Sequence, residues 1–256
     1  MILAILQART SSSRLPRKVM LPLRGTPMLM RQIERITRSR RIDRLVVATS
    51  DRDEDLCVAE LAEAAGVGAF RGALDDVLDR FYRAAEPYSP DIVVRVTGDC
   101  PLADWQVIDD CIEFLIAGGY DYVSNALNPT FPDGLDVEAM TFAALAEAWR
   151  EGRGPVEREH VTPYIARRPG RFRLGSFENK GTDLSALRWT VDEPADYEFV
   201  AQVYDRLYPQ NPAFTTADVL GLLSDEPELL HINAGIERNE GLRKAEQALR
   251  KERQNG

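Results

Sequence analysis

Residues 2–20 read ILAILQARTSSSRLPRKVM, an apolar run of strand length that passes directly into a loop of small and basic residues. A strand with no polar alternation must be covered on both faces, which is the environment of a parallel sheet inside an α/β protein. The loop that follows carries Arg9, Arg14, Arg17 and Lys18 with Ser12 between them, and Pro16 limits its freedom. After it, PMLMRQIERITRS (27–39) repeats apolar residues at helical spacing. A loop between a strand and a helix is where α/β proteins hold phosphate, because small residues let backbone N–H groups curl around an anion while Arg and Lys add charge. No acidic residue precedes Glu34, yet six basic residues fall before it, in a chain whose net charge is -9. A basic surface turn is the plain alternative; the complete lack of carboxylates over this span favours an anion site. The stretch is not a Walker A loop, since G-x-x-x-x-G-K-[ST] is absent.

The same alternation continues outward. RLVVATS (44–50) and DIVVRVT (91–97) are further β-branched runs, and EDLCVAELAEAAG (54–66) and LDDVLDRFYRAAE (74–86) are helical by spacing. The expected class is α/β, with a mostly parallel central sheet and helices on both faces, and ligands beyond the carboxyl ends of the strands. Further on, DWQVIDDCIEFLIAGG reads as a helix, DYVSNA and DVEAM as strands, TFAALAEAWREG and EREHVTPYIARR as helices, and FRLGSF and LRWTV as strands. After Pro194 the pattern is helical and ends in a charged helix, NEGLRKAEQALRKERQNG. With no repeat, linker or composition break, residues 1–256 are expected to form one domain, with a C-terminal helical extension from about residue 208.

The bulk numbers exclude several classes. Hydrophobic content of 44% and charged content of 29% belong to an ordinary soluble protein. An acidic chain does not suit general nucleic-acid binding, whereas a local basic cluster suits a small anionic ligand. Three cysteines without paired spacing suit reduced thiols, and no apolar run reaches membrane length, so a cytoplasmic protein is expected.

Two aspartates are placed for chemistry. Asp99 in GDCPL follows the strand DIVVRV, beside a glycine that permits close approach; Asp192 follows the apolar run LRWTV. Two carboxylates at two strand ends can share a Mg²⁺ that bridges a polyphosphate. Asp104 is the better candidate for capping the helix that follows GDCPL, and Glu193 and Asp196 are assigned to a helix N-terminus. The Asp51–Asp53 string in SDRDED is read as helix capping by Ser50 or Asp51 with acids in the first turn. GVGAFRG (66–72) is no dinucleotide fingerprint: its spacing is wrong and it leads into a strand. His160, one of two histidines, is either a substrate contact or a satisfied half-buried side chain.

Taken together, QARTSSSRLPRKVM, VVATSD, FRGALDDVLDRFYRAA, RVTGDCPL, FPDGLDVEAM, EREHVTPYI and RWTVDEPAD resemble the cytidylyltransferase family that activates sugar acids as CMP conjugates, in the branch typified by spore-coat polysaccharide biosynthesis protein F. The resemblance runs in order over about three quarters of the chain. It implies a Rossmann-like nucleotidyltransferase fold and transfer of CMP from CTP to a small acidic acceptor with release of pyrophosphate. By position, Arg9, Ser12, Arg14 and Lys18 match the loop that wraps the triphosphate, with Arg14 and Lys18 catalytic. Ala8 and Thr97 match positions near the base, and Asp76 and Arg80 positions close to the nucleotide. Asp99 and Asp192 match the metal aspartates for Mg²⁺. Asp136, Glu138 and His160 match the border of the acceptor pocket, and a homodimer is expected by the same resemblance. The sugar-acid synthetases proper read G-D-E-P where this chain has Gly98-Asp99-Cys100-Pro101, and often carry Gln where Thr97 stands. The identity of the acceptor is not carried over. The alternatives are a glycosyltransferase using Asp51 and Asp53 as its metal site, or a non-catalytic nucleotide-binding relative; two retained aspartates and an intact basic loop argue against the latter.

Overall fold

The computed structural model of the chain describes residues 1–236, so the charged C-terminal segment read as a helix lies outside the described residues. A seven-stranded sheet runs through the molecule in the order β5-β4-β1-β6-β8-β7-β9. Its strands are β1 (Ile2–Gln7), β4 (Arg44–Ser50), β5 (Gly68–Gly72), β6 (Ile92–Thr97), β7 (Tyr122–Ser124), β8 (Glu138–Thr141) and β9 (Leu174–Ser176), while β2 (Pro22–Leu23) and β3 (Thr26–Pro27) form a separate small hairpin. The four ladders β1–β4, β1–β6, β4–β5 and β7–β9 are parallel, whereas β8 runs antiparallel to both β6 and β7.

The expected helices form as α1 (Met28–Ile36), α2 (Leu56–Ala64), α3 (Val77–Ala85), α4 (Trp105–Gly118), α5 (Phe142–Glu151), α6 (Pro155–His160), α7 (Pro163–Ala166), α8 (Pro194–Leu207) and α9 (Thr216–Asp225), except that the EREHVTPYIARR stretch breaks at Val161 into α6 and α7. Alternation along the strands divides the core between the two faces of the sheet. Ala4 and Leu6 of β1 pack with Leu29 and Ile33 of α1 and Phe199 of α8, whereas Leu3 and Ile5 pack with Leu78 and Phe81 of α3 and Leu145 of α5. All four β1 residues are fully buried, and each large side chain so buried stabilises the fold by about 1.5–3 kcal/mol. Asp104 caps α4 by accepting the Gln106 N–H at 2.9 Å, as expected, and its other oxygen accepts the N–H and hydroxyl of Thr216, which seats the start of α9.

Two expectations are corrected. LRWTV forms no strand: its backbone is spent on loops, with the Trp189 and Thr190 N–H groups donating to the Asp133 carbonyl and Val191 N–H to that of Asp99. Arg188 alone makes an isolated bridge, to Asp133. Asp192 thus ends a loop-bound extended segment, not a sheet strand. Neither Ser50 nor Asp51 caps a helix; residues 53–55 form a single 3₁₀ turn whose preceding residue is Arg52. Ser50 instead donates its hydroxyl to the buried Asp55, which also accepts the N–H and hydroxyl of Thr10 at 2.6 and 2.7 Å. Asp55 is therefore the anchor of the basic loop.

Candidate active site

The basic loop leaves β1 at Ala8, whose N–H still donates to the Ala48 carbonyl of β4. Thr10 then closes it, its carbonyl accepting the N–H groups of Ser12 and Arg17 at 3.0 and 2.9 Å. Ser12 turns its hydroxyl inward to accept the Leu15 N–H at 3.4 Å, and Arg17 takes a left-handed φ of 57°. This compact turn delivers Lys18 into the molecule, where its side chain is nearly buried.

On the neighbouring strand, Gly98 follows β6. A Cβ there would lie 2.9 Å from both the Ala8 Cβ and the Gln7 carbonyl oxygen, so only glycine lets the loop after β1 approach the Asp99 turn. Lys18 Nζ lies between two carboxylates, 2.8 Å from Asp192 Oδ1 and 3.4 Å from Asp99 Oδ2, and donates to the Val191 carbonyl at 2.8 Å. Arg14 pairs with Asp192 Oδ2 at 3.0 Å and with Glu193 at 3.5 Å. Burial pushes the Asp99 carboxyl up, but the Lys18 ammonium, the Thr97 hydroxyl and the Cys100 thiol outweigh it and hold Asp99 down to about 2. For Lys18 the balance is the mirror image: burial lowers it, the two aspartates more than restore it, and it stays a firm cation. Burial pushes the Cys100 thiol well up, which keeps it protonated.

Arg14, Thr97, Asp99, Cys100 and Asp192 line a cavity of about 440 Å³ that continues to Asp136, Glu138, His160 and Arg167. Its floor comes from strand register: Arg95 of β6 lies opposite Glu138 of β8. Arg95 donates to Glu138 and, at 3.2 Å, to Gln7, while the Tyr122 hydroxyl donates to Glu138 at 2.5 Å. Burial raises the Glu138 carboxyl, but Arg95, Thr162 and Tyr122 together bring it below the usual carboxylate range. Glu138 is thus a fixed anion in the wall. Between α6 and α7, Val161 adopts φ 71° and ψ -60°, with the Thr162 N–H donating to the His160 carbonyl at 2.8 Å. This strained γ-turn at a β-branched residue brings both His160 and Thr162 to the cavity.

A second cavity, of about 390 Å³, shares Arg95 and His160 with the first and is lined also by Arg9, Asp75 and Arg158. Asp76 caps α3 by accepting the Asp79 N–H at 3.0 Å and pairs with Arg158. Arg80 is fully buried beside Gly72, its Nη1 donating to the Ala73 carbonyl at 2.6 Å, while its Nε and Nη2 have no partner among the described residues. Burial, and next the neighbouring Arg9, lower it to about 10. The structure therefore brings Arg14, Thr97, Asp99, Asp136, Glu138, His160 and Asp192 to one cavity and Arg9 to its neighbour; Lys18 bonds Asp99 and Asp192 without lining the cavity, and Ala8, Ser12, Asp76 and Arg80 line neither. The sequence reading missed Asp55, Arg95, Arg158 and Arg167. Arg95 carried a signal, being the one charge inside an apolar run; the others show none without the fold.

A strand-end carboxylate, a second carboxylate from a distant loop and a basic loop after the first strand define a nucleotidyltransferase. The chain belongs to the cytidylyltransferase family, whose profile matches residues 3–214. It is 36% identical over 236 residues to the uncharacterized protein MJ1063 of Methanocaldococcus jannaschii, covering 92% of this chain and 95% of that protein. It is 32% identical over 235 residues to the spore coat polysaccharide biosynthesis protein SpsF of Bacillus subtilis, covering 89% and 95%. A cytidylyltransferase from Leptospira borgpetersenii superposes with a TM-score of 0.86 at 31% identity, covering 93% of this chain and 99% of that one. CMP:2-keto-3-deoxy-manno-octonic acid synthetase, solved with CTP, shares the fold at a TM-score of 0.62 and 18% identity, covering 80% and 98%.

Proposed function

We propose that the chain transfers CMP from CTP to a sugar acid or related acidic acceptor, releasing pyrophosphate, as a cytoplasmic step in surface polysaccharide or glycoconjugate synthesis. In this reading residues 1–256 act as one unit and the working form is a homodimer. The observation that carries the reading is the meeting of Lys18 and Arg14 with Asp99 and Asp192 beside one cavity. The relation to SpsF supports the polysaccharide setting.

Arg9, Ser12, Arg14 and Lys18 bind and orient the triphosphate, with Ala8 and Thr97 toward the base and Asp76 and Arg80 supporting the nucleotide side. Asp136 and His160 border the acceptor, and Glu138 shapes its wall. The acceptor oxygen attacks the α-phosphorus in line, the bond to the β-phosphate oxygen breaks, and pyrophosphate leaves. Lys18 and Arg14 neutralise the charge that develops on it. Asp99 and Asp192 suit Mg²⁺, because they are hard oxygen donors while the protonated Cys100 beside them is none. Among the described residues no group of three or more acidic, His or Cys side chains forms a metal cluster, so Asp99 and Asp192 would be the residues that hold the ion. Held by these two aspartates, Mg²⁺ would supply charge neutralisation during the transfer.

Pyrophosphate release, measured with each of the four nucleoside triphosphates over a panel of sugar acids and phosphonates, tests the reading. Turnover with CTP and an acid supports it. Release of a nucleoside diphosphate from a nucleotide sugar supports a glycosyltransferase instead, and binding without turnover a non-catalytic relative.

A further inference from the structure

Asp192 owes its position to a buried network that reaches past the stretch matched by the family profile. Asp196, fully buried in the first turn of α8, accepts the backbone N–H groups of Asp192 and Glu193 at 3.0 and 2.9 Å. Arg188 grips Asp196 with two parallel bonds of 2.9 Å, reaches Asp133 at 3.0 Å with its other terminal nitrogen, and approaches Asp192 Oδ2 at 3.5 Å. Such a fork fixes orientation as well as charge. One more donor completes it: the carboxamide of Asn233, itself nearly buried, donates to the Arg188 carbonyl at 2.9 Å and to Asp196 Oδ1 at 3.0 Å.

We infer that Asn233 is a positioning residue for the nucleotide–metal site, acting through Arg188 and Asp196 on Asp192. The inference rests on the proposed role of Asp192 as a metal ligand. Asn233 touches neither the cavity nor the aspartates of the site, so its effect travels through the network alone. Its chemistry is specific: an amide N–H can serve a carbonyl and a carboxylate together, whereas a carboxylate at the same place would stand against Asp196 and compete for Arg188. Residues after 214 thereby contribute to the site from outside the matched stretch.

The test measures Mn²⁺ affinity by electron paramagnetic resonance in the complex of the full chain with CTP, for the wild type, Asn233→Leu and Asn233→Asp, with melting temperatures alongside. Loss of an outer partner of a metal ligand weakens metal affinity by about ten-fold, and both variants are expected to show this while remaining folded. Unchanged Mn²⁺ affinity in a folded variant, with or without a lower melting temperature, overturns the inference and leaves Asn233 a structural residue. Failure of the wild-type CTP complex to bind Mn²⁺ overturns the reading of the site itself, and this inference with it.

Discussion

Lys18 lies between the Asp99 and Asp192 carboxylates, and its charge helps to hold Asp99 ionised, so its removal must show on Asp99. Asp99, held down to about 2, stays charged throughout the working pH range. Because its folded value is lowered, its stabilising contribution is present above the unfolded value of about 3.9 and disappears as pH falls through the folded one. In Lys18→Met the burial of Asp99 remains while its largest opposing charge is gone, so the Asp99 carboxyl is expected to rise, read directly by carbon-13 NMR titration. An unmoved titration would show that Lys18 does not neutralise this site. Asp99→Asn keeps the size of the side chain and removes its charge. It is expected to lower kcat by at least about a hundred-fold, the scale of losing one preorganised electrostatic group, with the fold intact by circular dichroism. Full turnover by this variant would remove Asp99 from the metal site.

At the scale of elements, the strands that carry the site were legible because they are continuous apolar runs, and the aspartate after β6 because strand ends are where α/β sheets bind. LRWTV has the same composition yet makes no ladder, since composition reports burial and not which backbone accepts its hydrogen bonds. The Arg95–Glu138 pair was equally hidden, because it exists only through the antiparallel register of β6 with β8. That register makes a prediction: Glu138→Ala leaves the half-buried Arg95 guanidinium with Gln7 as its remaining partner. Leaving a charged partner unsatisfied in a half-buried pair costs about 1–3 kcal/mol, so the urea midpoint should fall. A variant of wild-type stability with altered acceptor KM would assign Glu138 to the acceptor rather than to the wall.

Over the whole molecule, charge is distributed against the trend of composition. A chain of net charge -9 repels a nucleoside triphosphate at long range, and its acid-free opening segment reverses this locally. The sequence showed the asymmetry but not which cations face the ligand, because that depends on contacts far along the chain. Thr10, at the base of the loop, is held by Asp55, whereas Arg24 of the same acid-free stretch is paired with Asp205 at 2.8 Å on the exterior. Arg9, by contrast, is exposed on the wall of the cavity that also holds Arg95 and Arg158. Removing one such steering cation should weaken triphosphate binding by about ten-fold, equivalent to about 1.4 kcal/mol, in Arg9→Ala at low salt. Near 1 M salt the screening length shrinks to about 3 Å, so the gap between variant and wild type should narrow. Arg24→Ala is the control, expected to leave the KM for CTP within about two-fold at either salt, since an exposed, paired cation contributes little. The measurement is KM for CTP at both ionic strengths. Equal effects from Arg9 and Arg24 would mean that the opening segment acts through net charge alone, and that its folded arrangement around Thr10 does not select which cations meet the nucleotide.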